Sequence, residues 1–278
     1  MGTLDGKVAL ITGAARGQGR SHAIRLAQEG ADIIAVDICA PVSTVPYDLA
    51  ASEDLAQTAT EVKALGRRVV TAEVDVRDGA ALRSAVDDGV AQLGRLDIVC
   101  ANAGITAYVR AEEMTDAQWD DLVGINLTGV FRTASAAIKH LKANDGGGSI
   151  VITSSTQGLR GAQNIAHYVA AKHGLVGLTK ALALEWAVYG IRVNSVHPTS
   201  VDTPMIHNEA TYGLFRPDLD PADVTIDDVG ESFAGLNVLP VRWVEPEDVS
   251  NAVAWLVSDQ ARYITGVQLP VDAGAGIK

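Results

Sequence analysis

Short apolar runs recur along the chain: Val8 to Thr12, Ile33 to Val36, Val69 to Val74, Ile98 to Ala101, Ile150 to Ile152, Val193 to Val196 and Val267 to Val271. They are largely continuous rather than alternating, which predicts strands buried on both faces, as in a parallel sheet covered by helices. Most of the intervening stretches are of helix length. After the first run come glycines and then Ser21 to Gln28, with Ala23, Ile24, Leu26 and Ala27 at helical spacing. Strand, turn and helix in this order predict an α/β fold, a doubly wound parallel sheet with helices on both faces, in a single domain of 278 residues.

Two stretches break the rhythm. Ile38 to Ser52 holds two prolines and no helical period before Glu53, predicting an insertion at about 38–52 that lengthens a β-α connection on the cofactor side. Met205 to Pro240 carries seven carboxylates (Glu209, Asp218, Asp220, Asp223, Asp227, Asp228, Glu231) against Arg216 alone. This predicts either a solvated acidic surface or a substrate lid at about 205–240.

Composition narrows the function. With 47% hydrophobic residues the chain can build a core, and its net charge of −12 disfavours nucleic acid and anionic membrane surfaces as partners. No apolar run reaches the roughly 20 residues needed to span a bilayer, and the start lacks a basic, apolar leader, so a soluble cytoplasmic protein is expected. Cys39 and Cys100 are expected to be reduced thiols, and the six histidines show no metal-ligand spacing, so no metal is expected.

Candidate chemistry begins at Thr12-Gly13-Ala14-Ala15-Arg16-Gly17-Gln18-Gly19, where the first strand turns into the first helix. Glycines there let the backbone approach a pyrophosphate, and the helix N-terminus offers N–H groups to it. Asp37 ends the second strand, just before Ile38, and places a carboxylate where an adenosine ribose presents its hydroxyls. That carboxylate favours NAD(H) by repelling a 2′-phosphate, whereas Arg16 argues for NADP(H). Asp37 is given the greater weight, because an exposed arginine returns less than the carboxylate costs. Further along, Tyr168 and Lys172 lie four residues apart, on one face of a helix, and a nearby ammonium favours a phenolate. Ser155 lies thirteen residues before Tyr168, and Asn126 sits within the helical stretch Trp119 to Asn126, where an asparagine is unfavourable without a reason.

In this order these residues resemble the short-chain dehydrogenase/reductase family over essentially the whole chain, joined by Asp75-Val76, Asn102-Ala103-Gly104, Asn194 to Pro198 and Tyr263-Ile-Thr-Gly. The resemblance implies a Rossmann-type sheet, with Asp75 and Val76 near the adenine and Asn102, Ala103 and Gly104 along the nicotinamide ribose. It implies a catalytic set of Asn126, Ser155, Tyr168 and Lys172. Tyr168 is then the acid/base, Ser155 bonds the substrate oxygen, Lys172 holds the ribose and lowers the tyrosine pKa, and Asn126 positions a relay water. Pro198, Val201 and Thr203 would meet the nicotinamide end, although Thr199 replaces the family's usual glycine after Pro198. The family also implies a homotetramer.

The GAARGQGRSHA run, the VDICAP run and the insertion are similar to the subgroup containing carveol dehydrogenases and mycofactocin-associated dehydrogenases. That similarity implies a tightly held NAD, covered by the insertion and reoxidised in place by a redox carrier. The expected substrate is a small hydrophobic secondary alcohol or its ketone. Candidate specificity residues are Tyr108, Gln157, Leu159, Met205, Tyr212, Phe215 and Phe233.

Overall fold

A computed structural model describes residues 2–278. Seven strands form one parallel sheet: β1 (Val8–Thr12), β2 (Asp32–Asp37), β3 (Val69–Glu73), β4 (Ile98–Ala101), β5 (Gly148–Thr153), β6 (Ile191–Pro198) and β7 (Gln268–Val271). Their spatial order is β3-β2-β1-β4-β5-β6-β7. The chain reverses its direction of travel across the sheet between β1 and β4, and such a switch point opens a crevice at the carboxyl ends of the strands.

The unbroken apolar runs have a direct structural meaning. Successive residues of one strand point to opposite faces, and here both faces are covered. Ala9, Ile11, Ile33, Ala35 and Cys100 pack beneath α1 (Gly17–Gln28), α2 (Ser52–Ala64) and α9 (Pro246–Val257). Their neighbours Val8, Leu10, Ile34, Val36 and Val99 pack under α3 (Gly79–Leu93), α5 (Val130–Leu141) and α6 (Ala166–Trp186). Before α5 comes α4 (Asp116–Val123), and a π-helical turn, Gly124–Gly129, joins the two. Asn126 therefore lies in the π turn rather than in the regular helix that the spacing suggests, and such turns often mark functional sites. The remaining helices, α7 (Glu209–Phe215) and α8 (Ile226–Ala234), fall in the acidic segment.

That segment has a small core of its own. Val224, Val229 and Phe233 are buried against Ile206, Tyr212, Phe215 and Trp243, and the Phe215 and Phe233 rings lie 4.7 Å apart. Several of its carboxylates face arginines: Arg216 pairs with Asp218 and Asp228, and Arg242 with Asp227. Among the described residues, no helix is long and apolar enough to cross a membrane. Both cysteines are free, and burial pushes each thiol up to about 12.

One polar contact deep in the molecule couples stability to pH. The fully buried His22 on α1 shares a 2.7 Å hydrogen bond between Nδ1 and Ser250 Oγ on α9. Burial lowers its pKa from 6.5 to about 4. An unfolded chain protonates this imidazole as pH falls through 6.5, whereas the folded chain resists until about 4, so acid removes stability across that window. The loss is on the order of 3 kcal/mol. Urea denaturation at pH 7 and pH 4.5 is expected to show a larger fall for wild type than for His22→Gln.

Candidate active site

A crevice opens at the carboxyl ends of β1, β2 and β4. Its lining includes Gly13, Arg16, Gly17, Gln18, Gly19, Asp37, Ile38, Asp75, Val76, Asn102, Ala103, Gly104 and Thr203. The turn between β1 and α1 forms its floor, and side chains are excluded there. Gly13 has φ +69° and a Cβ on it would stand 2.9 Å from Ala103 Cα, while a Cβ on Gly19 would lie 1.9 Å from the Gly13 carbonyl oxygen. No side chain caps the start of α1, so its first N–H groups are left for an anion such as a pyrophosphate.

Asp37, 9% exposed, borders the cleft at the end of β2. Its Oδ2 accepts the Ala15 N–H at 2.9 Å and its Oδ1 the Cys39 N–H at 3.3 Å, which fixes the carboxylate against the glycine turn. Arg16 is engaged elsewhere, because its Nη2 donates to the Asp48 carbonyl in the insertion. Asp75 is held bidentately by Arg77, which also bonds Asp121.

The insertion lies along the cleft. Val42, Tyr47, Leu49 and Ala50 join its lining, and sequence reasoning singled out none of these four. Tyr47 Oη accepts the Thr106 N–H at 3.2 Å, and Thr44 Oγ1 donates to Asp121 Oδ2 at 2.8 Å. The sequence signal was the scatter of apolar residues, Val42, Val45 and Leu49, within a loop containing prolines.

A second cavity of about 1480 Å³ shares Gln18, Asn102, Gly104, Ile105, Thr203 and Met205 with the first. Ser155, Tyr168 and Lys172 line it, as do Pro198 and Val201. The neighbouring Ser154 donates to the Lys172 carbonyl, whereas the Ser155 hydroxyl accepts the Gln157 N–H and lies near enough to the Tyr168 phenol to favour its ionised form. Lys172 is 3% exposed and donates to the Thr153 carbonyl at 2.8 Å. Its ammonium lies 5.4 Å from the centre of the Tyr168 ring.

Burial dominates and pushes the Tyr168 phenol up to about 12, although the Ser155 hydroxyl opposes it, while burial brings Lys172 down to about 7. Asn126 lines neither cavity and is 0% exposed. Its Oδ1 accepts the Ile105 N–H at 2.9 Å and its Nδ2 donates to the Ile105 carbonyl at 2.8 Å. The carboxamide thus clamps the loop after β4.

Sequence reasoning also passed over His197, which it considered only as a metal ligand. Its Nδ1 is 2.8 Å from the Ser155 carbonyl and its Nε2 2.9 Å from Ser195 Oγ, so β6 holds the backbone of Ser155 in place. Of the candidate specificity residues, Tyr108, Gln157, Met205, Phe215 and Phe233 line the second cavity. Leu159 does not and is 44% exposed, while Tyr212 turns its hydroxyl to His207 Nδ1 instead. Thr199, in the family's glycine position, donates to Asn237 Oδ1 and ties β6 to the end of α8.

A dinucleotide-sized cleft ending beside a serine, tyrosine and lysine is matched by the comparisons. The family model described as short chain dehydrogenase matches residues 7–212, and the chain belongs to that family of oxidoreductases. It is 53% identical over 279 residues to the (-)-trans-carveol dehydrogenase of Rhodococcus erythropolis, covering all of both chains. Among solved structures, carveol dehydrogenase from Mycobacterium avium in complex with NAD superposes with a TM-score of 0.98 at 54% identity, with full coverage of both chains. A short chain dehydrogenase from Mycobacterium paratuberculosis bound to NAD gives 0.91 at 44%, also with full coverage.

The clamp on Ile105 is directly measurable. Asn126→Ala leaves a buried N–H and a buried carbonyl without their partner, and is expected to lower stability by about 2–4 kcal/mol in denaturant titration.

Proposed function

We propose that this protein oxidises hydrophobic secondary alcohols to ketones, and reduces the ketones in reverse, with NAD as its dinucleotide. The observation that carries this reading is the junction of the two cavities: the dinucleotide cleft adjoins a chamber, walled in part by Ile105, Met205, Phe215 and Phe233, where Ser155, Tyr168 and Lys172 meet. The residues present fit NAD. Gly13 and Gly19 leave room for a pyrophosphate, Asp37 faces the adenosine end, and Arg16, the one residue favouring a 2′-phosphate, is bonded to the insertion. When bound, NAD supplies the hydride acceptor.

The chain's own groups handle the proton. Ser155 Oγ orients the substrate oxygen, and Tyr168 removes its proton in oxidation or returns one in reduction. Lys172 bonds the ribose while anchored on the Thr153 carbonyl, and Gly13, Gly17, Gln18, Gly19, Asp75, Val76, Asn102, Ala103 and Gly104 hold the rest of the dinucleotide. Ile105, Met205, Phe215 and Phe233 favour a neutral, apolar substrate body.

The insertion acts as a clasp. Arg16 to Asp48, Tyr47 to Thr106 and Thr44 to Asp121 must all part for NAD to leave, so the dinucleotide stays in place and a diffusible redox carrier reoxidises it there. Exposed Leu184, Val188 and Tyr263 support assembly of several copies of the chain.

Turnover of carveol with an artificial electron acceptor tests the activity, and Tyr168→Phe is expected to lower it about 10²- to 10⁴-fold. Burial holds the phenol above its ordinary range, so alcohol oxidation is expected to climb with pH from 7 to 9, while ketone reduction is not lost over that range. An oxidation rate that falls as pH rises through this range would count against Tyr168 as the base. Exchange of bound NAD with labelled NAD is expected to be slow in wild type and at least tenfold faster in the double variant Arg16→Ala, Tyr47→Phe. Equal exchange rates in the two proteins would remove the clasp.

A further inference from the structure

The wall of the substrate cavity is mixed, with Ile105, Met205, Phe215 and Phe233 beside polar residues, and Gln157 lies in it. The residue is half-buried, and its Oε1 is buried without a partner. Buried side-chain amides are normally hydrogen-bonded, and an unpaired one in a ligand cavity calls for an explanation. Its backbone supplies a second observation. The Gln157 N–H donates to Ser155 Oγ at 3.1 Å, which ties this residue to the hydroxyl assigned to the reacting oxygen. The carboxamide is thereby held within one side-chain length of the reaction centre.

We infer that Gln157 recognises a second oxygen function on the substrate, so that the preferred substrates are cyclic diols or hydroxyketones rather than alcohols with a single oxygen. This rests on the alcohol-oxidation reading above, since it assigns Ser155 to the reacting oxygen. A carboxamide presents both a donor and an acceptor, so it can pair with either a hydroxyl or a keto group. A substrate without the second oxygen covers the amide and leaves it unpaired. Sites of this kind discriminate more sharply against a missing hydroxyl than an apolar pocket does against a missing methylene.

The test compares wild type with Gln157→Met, which keeps an unbranched side chain of similar length, and with Gln157→Leu as a second apolar replacement should the first fail to fold. For cyclohexanol and cyclohexane-1,4-diol, kcat and KM are measured with an artificial electron acceptor, and binding of both alcohols to the NAD-loaded protein is measured by calorimetry. Wild type is expected to prefer the diol, and the substitution to lower the diol-to-cyclohexanol ratio of kcat/KM at least tenfold, chiefly through KM. An unchanged ratio, or an equal loss for both alcohols, overturns the subsite and leaves the alcohol-oxidation reading standing. If wild type turns over neither alcohol, that reading fails instead. Calorimetry then decides the subsite: a diol preference lost on substitution upholds it, and no preference overturns it.

Discussion

The carboxamide of Asn102 pins together the strand ends on which both cavities depend. Its Nδ2 donates to the Thr12 carbonyl of β1, its Oδ1 accepts the Thr153 hydroxyl of β5, and its own backbone N–H donates to Thr12 Oγ1. Thr153 in turn offers its carbonyl to Lys172. One continuous hydrogen-bonded path therefore runs from the glycine turn through three strands to the buried lysine. The switch point of a doubly wound sheet forces neighbouring strand ends apart, and these bonds fix how far. Loosening Asn102 would move the dinucleotide floor and the reaction centre relative to each other.

Around that frame, much of the site is positioned by groups that do not face the cavities. Asn126 clamps Ile105, His197 holds the Ser155 backbone, and Arg77 locks Asp75. Each removes freedom from a neighbour that does line a cavity, which is how a scaffold holds reacting groups in productive geometry. The electrostatics are less accommodating. Burial disfavours both the phenolate of Tyr168 and the ammonium of Lys172, so their charged forms depend on the partners gathered around them. Against that cost, the Ser155 hydroxyl and the Thr153 carbonyl are the contributions from the chain itself.

Two peripheral pieces adapt the common frame to this chain. The insertion runs along the cleft through apolar side chains and three polar contacts, and the acidic segment folds over a small aromatic core of its own. Thr199 and Asn237 fasten that segment to β6, and the Val201 to Val244 bridge closes its base. A segment with its own core can shift as a unit, which suits a wall that must admit a substrate.

The sheet, its parallel sense and the glycine turn were legible in the linear sequence, because apolar continuity and glycine spacing are local patterns with one economical structural solution. The order of Tyr168, Lys172 and Ser155 was legible for the same reason: a helix period and a strand end place them. What remained hidden depended on contacts between distant segments. That Arg16 bonds the insertion could not be read from residue type, since an arginine beside a glycine turn serves a phosphate equally well. The turning of Tyr212 away from the cavity, the π turn that carries Asn126, and the outcome of burial for Tyr168 and Lys172 were likewise decided by packing. The sequence by itself determined the fold, through periodicity, and its resemblance to a known family named the candidate reacting groups. Only the tertiary structure decided which side chain each polar group meets and how much water it loses, because desolvation and hydrogen bonding belong to the folded neighbourhood and not to the residue.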